Sequence, residues 1–330
     1  MADLKIDHGK LLLGGNCDIQ FMTSVQKITI IGAGIMGSGL ATQFLTNDVE
    51  VVLVDHRSSN IDRAMSQIHD NILFLRPNAD EDEIQTLVDE QIDTSLDQSD
   101  AVSNADLVLE TISEELSAKR DLFEALEEDA PDEAILASNT SGIKITKIAA
   151  EVPHVAERIV GCHWWNPPYL MPLVEIVPGQ ETAQTTITRT KEFIEDIGKR
   201  PIVLNRDVPG FVWNRIQFAV LRECLHLVEE DVASAEDINA AVRDGYALRT
   251  AAVGPLETVD ISGLELFQSI SENLYPELCN AEEPHGVYEE LLQEGRDGIA
   301  DGEGFFSYNR SSEKIIQERD ELLRAINNQK

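Results

Sequence analysis

The stretch Lys27-Ile-Thr-Ile-Ile-Gly-Ala-Gly-Ile-Met-Gly37 is the strongest fold signal in the sequence, because an apolar, β-branched run leads directly into three glycines with the spacing Gly32-x-Gly34-x-x-Gly37. The following residues keep a helical pattern to about Leu45, so the stretch predicts a strand, a tight turn and a helix. The N-terminus of such a helix offers free N–H groups and the positive end of its dipole to a phosphate. The stretch therefore predicts a nucleotide-binding α/β domain.

An acidic residue completes this pattern one strand later. A second apolar run over 49–54 ends at Asp55, which lies 18 residues after Gly37. This spacing is typical of a dinucleotide fingerprint, in which the first glycine makes the turn, the second lets the backbone approach the pyrophosphate and the third permits close helix packing. The predicted cofactor-binding residues of this loop are Gly32, Gly34, Ile35, Met36 and Gly37.

Asp55 also bears on the choice of cofactor. A carboxylate at this position accepts hydrogen bonds from the ribose hydroxyls and repels a 2′-phosphate, which favours NAD over NADP. Arg57 leaves the alternative open, because a nearby arginine can accommodate that phosphate.

The composition indicates a soluble protein with an unusual charge. With 330 residues, 42% of them hydrophobic and 26% charged, the chain is long enough for two globular domains. Sixty acidic residues against 26 basic ones give a net charge of −34, and the acidic residues are spread through every region. Dispersed carboxylates favour a surface adapted to high salt, and hence a halophilic source. They also disfavour a nucleic-acid partner, which requires a basic surface.

Four widely spaced cysteines, without a CxxC pair or clustered histidines, predict neither a disulfide framework nor a metal site. Apolar runs stay well short of the roughly 20 residues of a membrane span. With no secretory pattern either, we expect a cytoplasmic protein without a membrane partner.

The order of apolar and helical patterns divides the chain. Residues 60–93 predict two helices in a hairpin, broken at 76–80, and long helices without strong strands follow Asp207-Val-Pro-Gly210. Besides the two strands already named, the sequence predicts strands at 105–110, 134–138, 159–162, 173–177 and 202–204. We therefore predict an α/β fold, with a Rossmann-type NAD-binding domain at 25–208 and an all-helical domain at 209–330. Residues 1–24 form an extension of open role, since Met22 would itself serve as a start.

A second stretch, His163-Trp-Trp-Asn-Pro-Pro-Tyr-Leu-Met-Pro-Leu-Val-Glu175, sets a histidine and a carboxylate on two apolar runs joined by a proline-rich turn. A carboxylate that fixes the tautomer of an imidazole helps it to act as a general base near neutral pH. A histidine beside apolar residues is also often purely structural, so this motif alone leaves both interpretations open.

Seven motifs follow one another along the chain: Gly32-Ala-Gly-Ile-Met-Gly37, Glu110 after a buried strand, Asn139-Thr-Ser141, His163 to Glu175, Pro209-Gly-Phe-Val-Trp-Asn214-Arg, Gly254-Pro-Leu-Glu-Thr-Val-Asp260 and Gly302-x-Gly304-Phe-Phe. In this order they resemble the 3-hydroxyacyl-CoA dehydrogenase family, over about residues 27–308. The resemblance implies NAD-dependent oxidation of a secondary alcohol in a cleft between the two domains, and a helical domain that pairs two subunits.

The resemblance also implies roles for individual residues. His163 matches the catalytic base, Glu175 its carboxylate partner, Ser141 the serine that binds the substrate oxygen, and Asn214 the asparagine that supports substrate and base. Ser141 and Asn214 could also have purely structural roles, because serine is suited to capping a turn and asparagine to capping a helix. The remaining predicted cofactor-binding or cleft residues are Glu110, Lys119 and Asn139.

The substrate stays open between an acyl-CoA and a free hydroxy acid or alcohol. In the family, basic residues of the helical hairpin help to hold the CoA tail, whereas residues 58–100 contain only Arg63 and Arg76. The Asn-Pro-Pro turn at 166–168 and the Ser-Gly pair at 141–142 look more like relatives that act on carnitine, gulonate or pyridine carboxylates. A third alternative is a non-catalytic NAD-binding protein, which the joint presence of Ser141, His163 and Glu175 disfavours.

Overall fold

The computed structural model describes residues 25–328. The predicted N-terminal extension lies outside the described residues. None of the helices in the described range is both long and apolar enough to cross a membrane.

An eight-stranded sheet forms the centre of the first domain, with the strand order β3-β2-β1-β4-β5-β6-β7-β8. Strands β1 to β6 are parallel, and β7 and β8 run antiparallel to them, since β7 pairs antiparallel with β6 and parallel with β8. The order 3-2-1-4-5-6 is that of a Rossmann domain, in which a ligand crevice opens where the strand order reverses between β1 and β4. The strands are β1 (Lys27–Ile31), β2 (Glu50–Val54), β3 (Ile92–Ser95), β4 (Leu107–Glu110), β5 (Ile135–Ser138), β6 (Ile159–Trp164), β7 (Leu173–Pro178) and β8 (Arg200–Val203).

Helices cover both faces of this sheet, because its central strands are apolar on both sides and bury every residue of β4, β5 and β6. Two hydrophobic clusters result, one around Phe44 and one around Phe123. The helices of this domain are α1 (Ile35–Leu45), α2 (Ser58–Leu75), α3 (Glu81–Gln91), α4 (Gln98–Val102), α5 (Leu116–Asp129), α6 (Ile145–Ala149) and α7 (Gln184–Asp196).

The hairpin predicted for 60–93 is present as α2 and α3, and the break between them falls at the predicted residues. The edge strand β3 was not predicted. It contains one buried residue, Ile92, followed by exposed or half-buried Asp93, Thr94 and Ser95, so it carries no apolar run. Its pairing with β2 therefore has no signature in the local sequence.

The second half is helical, as predicted, apart from two isolated β-bridges within 298–307. Its helices bury few residues in the single chain, and apolar side chains such as Leu256, Ile261 and Leu264 are 69–81% exposed. The last helix returns to the first domain. The helices are α8 (Trp213–Glu229), α9 (Ala235–Ala240), α10 (Leu248–Ala252), α11 (Pro255–Ser262), α12 (Leu264–Leu274), α13 (Gly286–Gln293) and α14 (Ser312–Asn327).

Candidate active site

The glycine loop lies at the carboxyl end of β1. Gly32 has φ +111°, a conformation that favours glycine, and its N–H donates to the Val54 carbonyl at 2.8 Å. A Cβ on Gly37 would lie 1.9 Å from the Gly32 oxygen, so helix α1 packs against the turn only because residue 37 lacks a side chain. A Cβ on Gly34 would meet nothing within 4 Å, which leaves room for another group at the start of α1.

This loop borders a cavity of about 680 Å³ that reaches from Gly32 and Gly34 to Asp55 and to Thr111, which follows β4. Helix α1 begins at Ile35 without a side-chain cap, so the N–H groups of its first turn remain available to a phosphate. Met36, in the same turn, packs on the hydrophobic cluster beneath. These residues fit a dinucleotide.

The buried carboxylate of Asp55 is held by its own loop. One oxygen accepts the Ala33 N–H at 3.0 Å, and the other accepts the Arg57 N–H at 3.0 Å and the Asn60 amide at 2.9 Å. Burial alone would raise the pKa of Asp55, but these hydrogen bonds together lower it below its usual value. The carboxylate is therefore ionised, as an acceptor for ribose hydroxyls must be.

Replacing Asp55 by Ala is expected to weaken NAD⁺ binding by about ten- to a hundredfold and to reduce the preference over NADP⁺, because a charged acceptor contributes about 1.5–3 kcal/mol. Quenching of protein fluorescence by each nucleotide measures both affinities. Asp62→Ala, on the exposed side of α2, is the matched control. An unchanged ratio of the two affinities in Asp55→Ala would show that this carboxylate does not select the cofactor.

His163 and Glu175 face each other across the antiparallel pair of β6 and β7. The Nδ1 atom of His163 lies 2.7 Å from Oε2 of Glu175, and both side chains are buried, at 3% and 0% exposure. A carboxylate on Nδ1 keeps the proton on that nitrogen and leaves Nε2 free as a base. The two residues thus form a dyad whose geometry is that of a general base and its orienting partner.

The second oxygen of Glu175 contacts the helical domain. Oε1 accepts the N–H groups of Val212 and Trp213, each at 3.0 Å, where helix α8 begins. Phe211, just before them, is fully buried with φ +49°, and its ring lies edge-on to His163 with 5.5 Å between ring centres. One carboxylate therefore holds the imidazole of His163 and also anchors the start of the second domain, a contact that the sequence did not predict.

Replacing Glu175 by Gln is expected to lower kcat by at least about a hundredfold. The Gln oxygen would keep the N–H groups of Val212 and Trp213, so its NH₂ would face Nδ1 of His163 and impose the tautomer that protonates Nε2. Steady-state kinetics with NAD⁺ titration measures the loss, with NAD⁺ affinity expected to stay unchanged. Exposed Glu181→Gln is the control, and a wild-type kcat in Glu175→Gln would refute the orienting role.

The loop after β5 brings Ser141 and Asn214 together. The Asn214 amide donates to the Ser141 carbonyl at 2.6 Å, which joins this loop to α8 of the helical domain. Glu114, which was not predicted from the sequence, also binds the loop after β5. One of its oxygens accepts the Thr140 hydroxyl at 2.6 Å and the Ser141 N–H at 2.9 Å. Ser141 is exposed and Asn214 is half-buried, and both lie where the two domains meet. Asn214 directly follows Val212 and Trp213, whose N–H groups donate to Glu175.

Glu110 and Lys119 lie beneath this loop. They are 0% and 1% exposed, and Lys119 Nζ contacts Glu110 at 2.6 Å and Glu114 at 3.3 Å. Burial raises the pKa of Glu110, against the opposing effect of Lys119 and of the Ser138 hydroxyl, which donates to it at 2.6 Å. In this arrangement the pair supports the loop that carries Ser141 instead of reaching the cavity itself.

Asn139 and two tryptophans shape the turn after His163. The Asn139 side chain accepts the Trp164 N–H at 2.8 Å, and Trp164 is buried edge-on against Phe44, whereas Trp165 stacks on Trp213 of α8 with 4.0 Å between ring centres. Trp164 therefore packs in the core of the first domain, and Trp165 bridges the two domains.

The same turn is fixed from below by Lys199, which donates to the carbonyls of Pro168 at 2.7 Å and Met171 at 3.0 Å. Burial lowers the pKa of Lys199 to about 8.

A cavity of about 690 Å³ opens along α8 beside Asn214, and its lining includes Gly210, Arg215 and Arg222. Asn214 also lines this cavity, which offers space for a small molecule at the start of α8.

Comparison with known families agrees with this geometry. The sequence matches the family described as "3-hydroxyacyl-CoA dehydrogenase, NAD binding domain" over residues 27–208 and "3-hydroxyacyl-CoA dehydrogenase, C-terminal domain" over residues 210–308. The chain belongs to the 3-hydroxyacyl-CoA dehydrogenase family. The resemblance seen in the motifs is confirmed, as are the Rossmann-type fold with a helical second domain, the NAD cofactor and the assignment to NAD-dependent oxidoreductases.

Relatives in this family act on different kinds of substrate. The chain is 36% identical to a 5-formyl-3-hydroxy-2-methylpyridine 4-carboxylate 5-dehydrogenase from Mesorhizobium japonicum, over 92% of this chain and 97% of the relative. It is 32% identical to the mitochondrial hydroxyacyl-coenzyme A dehydrogenase of Sus scrofa, over 86% and 91%. A crystal structure of an NAD⁺-dependent 5-formyl-3-hydroxy-2-methylpyridine 4-carboxylic acid 5-dehydrogenase superposes with a TM-score of 0.82 at 34% identity, over 92% of this chain and 97% of that one.

Proposed function

We propose that the protein oxidises a secondary alcohol of a small, free hydroxy compound to a ketone with NAD⁺, and catalyses the reverse reduction. The observation that carries the proposal is the buried dyad of His163 and Glu175, which leaves Nε2 of His163 free at the boundary between the NAD-binding and helical domains. A non-catalytic NAD-binding protein would have no use for a base held so tightly.

The residues divide the chemical work. Nε2 of His163 takes the hydroxyl proton, and the negative charge of Glu175 stabilises the imidazolium that forms. Ser141 and Asn214 position the substrate oxygen, so that the carbinol hydrogen points toward the cofactor. NAD⁺ supplies the acceptor for the hydride at C4 of its nicotinamide. Gly32, Gly34, Gly37 and Asp55 hold the dinucleotide, with Ile35 and Met36 in the first turn of α1.

Charge at the hairpin supports a free substrate over a CoA ester. Arg63 and Arg76 are the only lysines or arginines in residues 58–100, and both donate to neighbouring groups, Asn60 and the Thr46 carbonyl. A CoA tail carries several negative phosphates and would meet a surface rich in carboxylates. The relative from Mesorhizobium japonicum, which aligns over 92% of this chain, is named for a free pyridine carboxylate, whereas the hydroxyacyl-coenzyme A dehydrogenase aligns over 86%.

NADH formation at 340 nm tests the proposal, with carnitine, gulonate, free 3-hydroxybutyrate and a pyridine carboxylate compared against 3-hydroxybutyryl-CoA. The assays are run at high salt. We expect turnover with a free compound and a much lower kcat/KM with the ester. Turnover of the ester alone would assign the protein to the CoA-dependent members, which is the second candidate supported by the family match.

We also propose that two copies pair through the helical domain. In the described part of the chain, exposed apolar side chains concentrate on α11 and α12, with Leu256 at 81%, Ile261 at 74%, Leu264 at 69% and Leu266 at 53% exposure. A contiguous apolar face of this kind marks an interaction surface, and the family resemblance implies a second copy as its partner.

Replacing Ile261 and Leu264 by Asp is expected to convert this dimer into a monomer, because two charges would have to be buried against apolar side chains. Sedimentation velocity at high salt measures the change. The control is Leu322→Asp, which places the same charge at an equally exposed apolar position on α14. A wild-type sedimentation coefficient in the double variant would place the interface elsewhere.

Two properties of the whole protein are part of the proposal. The net charge of −34, with carboxylates in every region, is suited to concentrated salt, where a dense carboxylate shell stays hydrated and its repulsion is screened. NAD-dependent oxidation of small metabolites is suited to the cytoplasm. Small-molecule substrates, and neither nucleic acid nor membrane, are the partners that this charge and fold favour.

A further inference from the structure

The C-terminal helix α14 folds back onto the NAD-binding domain. Arg324 donates to the Phe74 carbonyl at the end of α2, and its guanidinium lies 4.4 Å from the centre of the Phe74 ring. Asn327 donates to the Leu170 carbonyl at 2.6 Å. The helix thus connects the hairpin to the turn that joins His163 and Glu175.

A polar network around the buried Asp320 lies at the middle of this contact. The Tyr169 hydroxyl donates to Asp320 at 3.3 Å, and Arg319 pairs with the other oxygen of Asp320 at 2.7 Å. Asp320 is 6% exposed and is the one buried residue of α14. Burial and the charge of Asp320 raise the pKa of Tyr169, so that its hydroxyl stays protonated and able to donate.

These residues close a cavity of about 250 Å³. Ile316, Arg319 and Asp320 of α14 form one wall, the start of α1 at Gly34 and Ser38 forms another, and the remaining lining includes Arg63 of the hairpin and Asn166 of the turn. This volume is below the roughly 300–1,000 Å³ of pockets that enclose drug-sized ligands. Helix α14 therefore borders the space between Asn166 of the turn and Arg63 of the hairpin.

Most of the contacts that hold helix α14 are polar, and they include the Ser312 hydroxyl, which donates to the Ile299 carbonyl at 2.8 Å. Leu322 and Ile326 are 66% and 53% exposed, and Asp320 is the one residue of the helix that is buried. The helix also lies after residue 308, where the match to the family's C-terminal domain ends. Both facts indicate an addition to the shared family domains that can be released without disrupting their cores.

We propose that α14 is a specificity-determining wall, which closes the cleft between the hairpin and the Asn166–Leu170 turn and so limits the substrate to small compounds. This inference rests on the proposed function, and it explains the restriction to small, free substrates by the position of α14. The negative hairpin repels a phosphate-bearing tail, and α14 occupies the path that such a tail would take. Arg324, Asn327 and Asp320 hold the wall in place without contacting the reacting atoms.

The test is the double variant Arg324→Ala/Asn327→Ala, with Lys314→Ala as a control that removes a cation from the exposed side of the same helix. Two readouts are needed. Titration calorimetry with coenzyme A itself measures access of a long substrate without requiring turnover. The ratio of kcat/KM for 3-hydroxybutyryl-CoA to that for the free substrate measures discrimination.

In the double variant we expect the affinity for coenzyme A to rise by about tenfold or more. The ratio of kcat/KM for 3-hydroxybutyryl-CoA to that for the free substrate should rise by a similar factor, and the control should match the wild type in both measurements. Tyr169→Phe added to the double variant should increase both effects. Coenzyme A affinity equal to that of the wild type in both variants would overturn the proposal. If the wild type forms no NADH with any compound, the proposed function fails, whereas the binding result still decides the role of α14.

Discussion

Replacing His163 by Gln is expected to lower kcat by about 10²–10⁴-fold while leaving NAD⁺ affinity unchanged. Gln can keep a hydrogen bond to Glu175, but it has no nitrogen that can accept a proton near neutral pH. The dyad lies on β6 and β7, on the other side of β4 and β5 from the glycine loop after β1, so the cofactor cavity should be preserved.

Rapid-quench and steady-state measurements of NADH formation, together with NAD⁺ titration, separate the two effects. The matched control is His154→Gln, because His154 is exposed on the loop before β6. A variant at 163 that retains wild-type turnover would contradict the assignment of the base. Loss of NAD⁺ binding in the same variant would indicate a structural histidine.

A second large effect is expected in the glycine loop. Gly37→Ala should lower the stability of the domain, whereas Gly34→Ala should lower the affinity for NAD⁺. Gly37→Ala places a Cβ 1.9 Å from the backbone oxygen of Gly32. This clash can be relieved only by moving the backbone of Gly32 or of residue 37, which displaces α1 from the sheet. We expect it to destabilise the domain by more than about 3 kcal/mol, which is roughly 5–10 °C in Tm.

Gly34→Ala meets nothing within 4 Å and has a φ of −84° that alanine adopts readily. It should leave Tm unchanged and weaken NAD⁺ binding by about tenfold or more, because the added Cβ occupies the space that the pyrophosphate needs. Thermal unfolding and NAD⁺ titration of both variants provide the comparison. Equal NAD⁺ affinity in Gly34→Ala and the wild type would show that the backbone does not approach the cofactor there.

The sequence predicted the parts of the fold that rest on local patterns. The glycine spacing after β1, the hairpin break at 76–80 and the change to helices after Gly210 all arise from residues close together in the chain, and the structure contains each of them. Strand β3 has no such signature, because Ile92 is its single buried residue and its partners come from β2.

The candidate site was predictable only in part, for the same reason. The register between His163 and Glu175 follows from two apolar runs joined by one turn. The second contact of Glu175, to the N–H groups of Val212 and Trp213, depends on how the two domains meet. Glu114 contacts a loop 26 residues away in sequence and α14 contacts Phe74 across 250 residues, and surface acids and charged helices are too common in this chain to stand out.

Direct hydride transfer from the substrate to NAD⁺ can be followed with deuterium. The free hydroxy compound that gives the highest turnover is prepared with deuterium on its carbinol carbon and incubated with NAD⁺ and the protein. We predict one deuterium at C4 of the nicotinamide in the NADH formed, detected by mass spectrometry, and a rate of labelled NADH formation that is lower by about 10²–10⁴-fold with His163→Gln. NADH that carries no deuterium, or labelled NADH formed at the wild-type rate by the variant, would contradict this prediction.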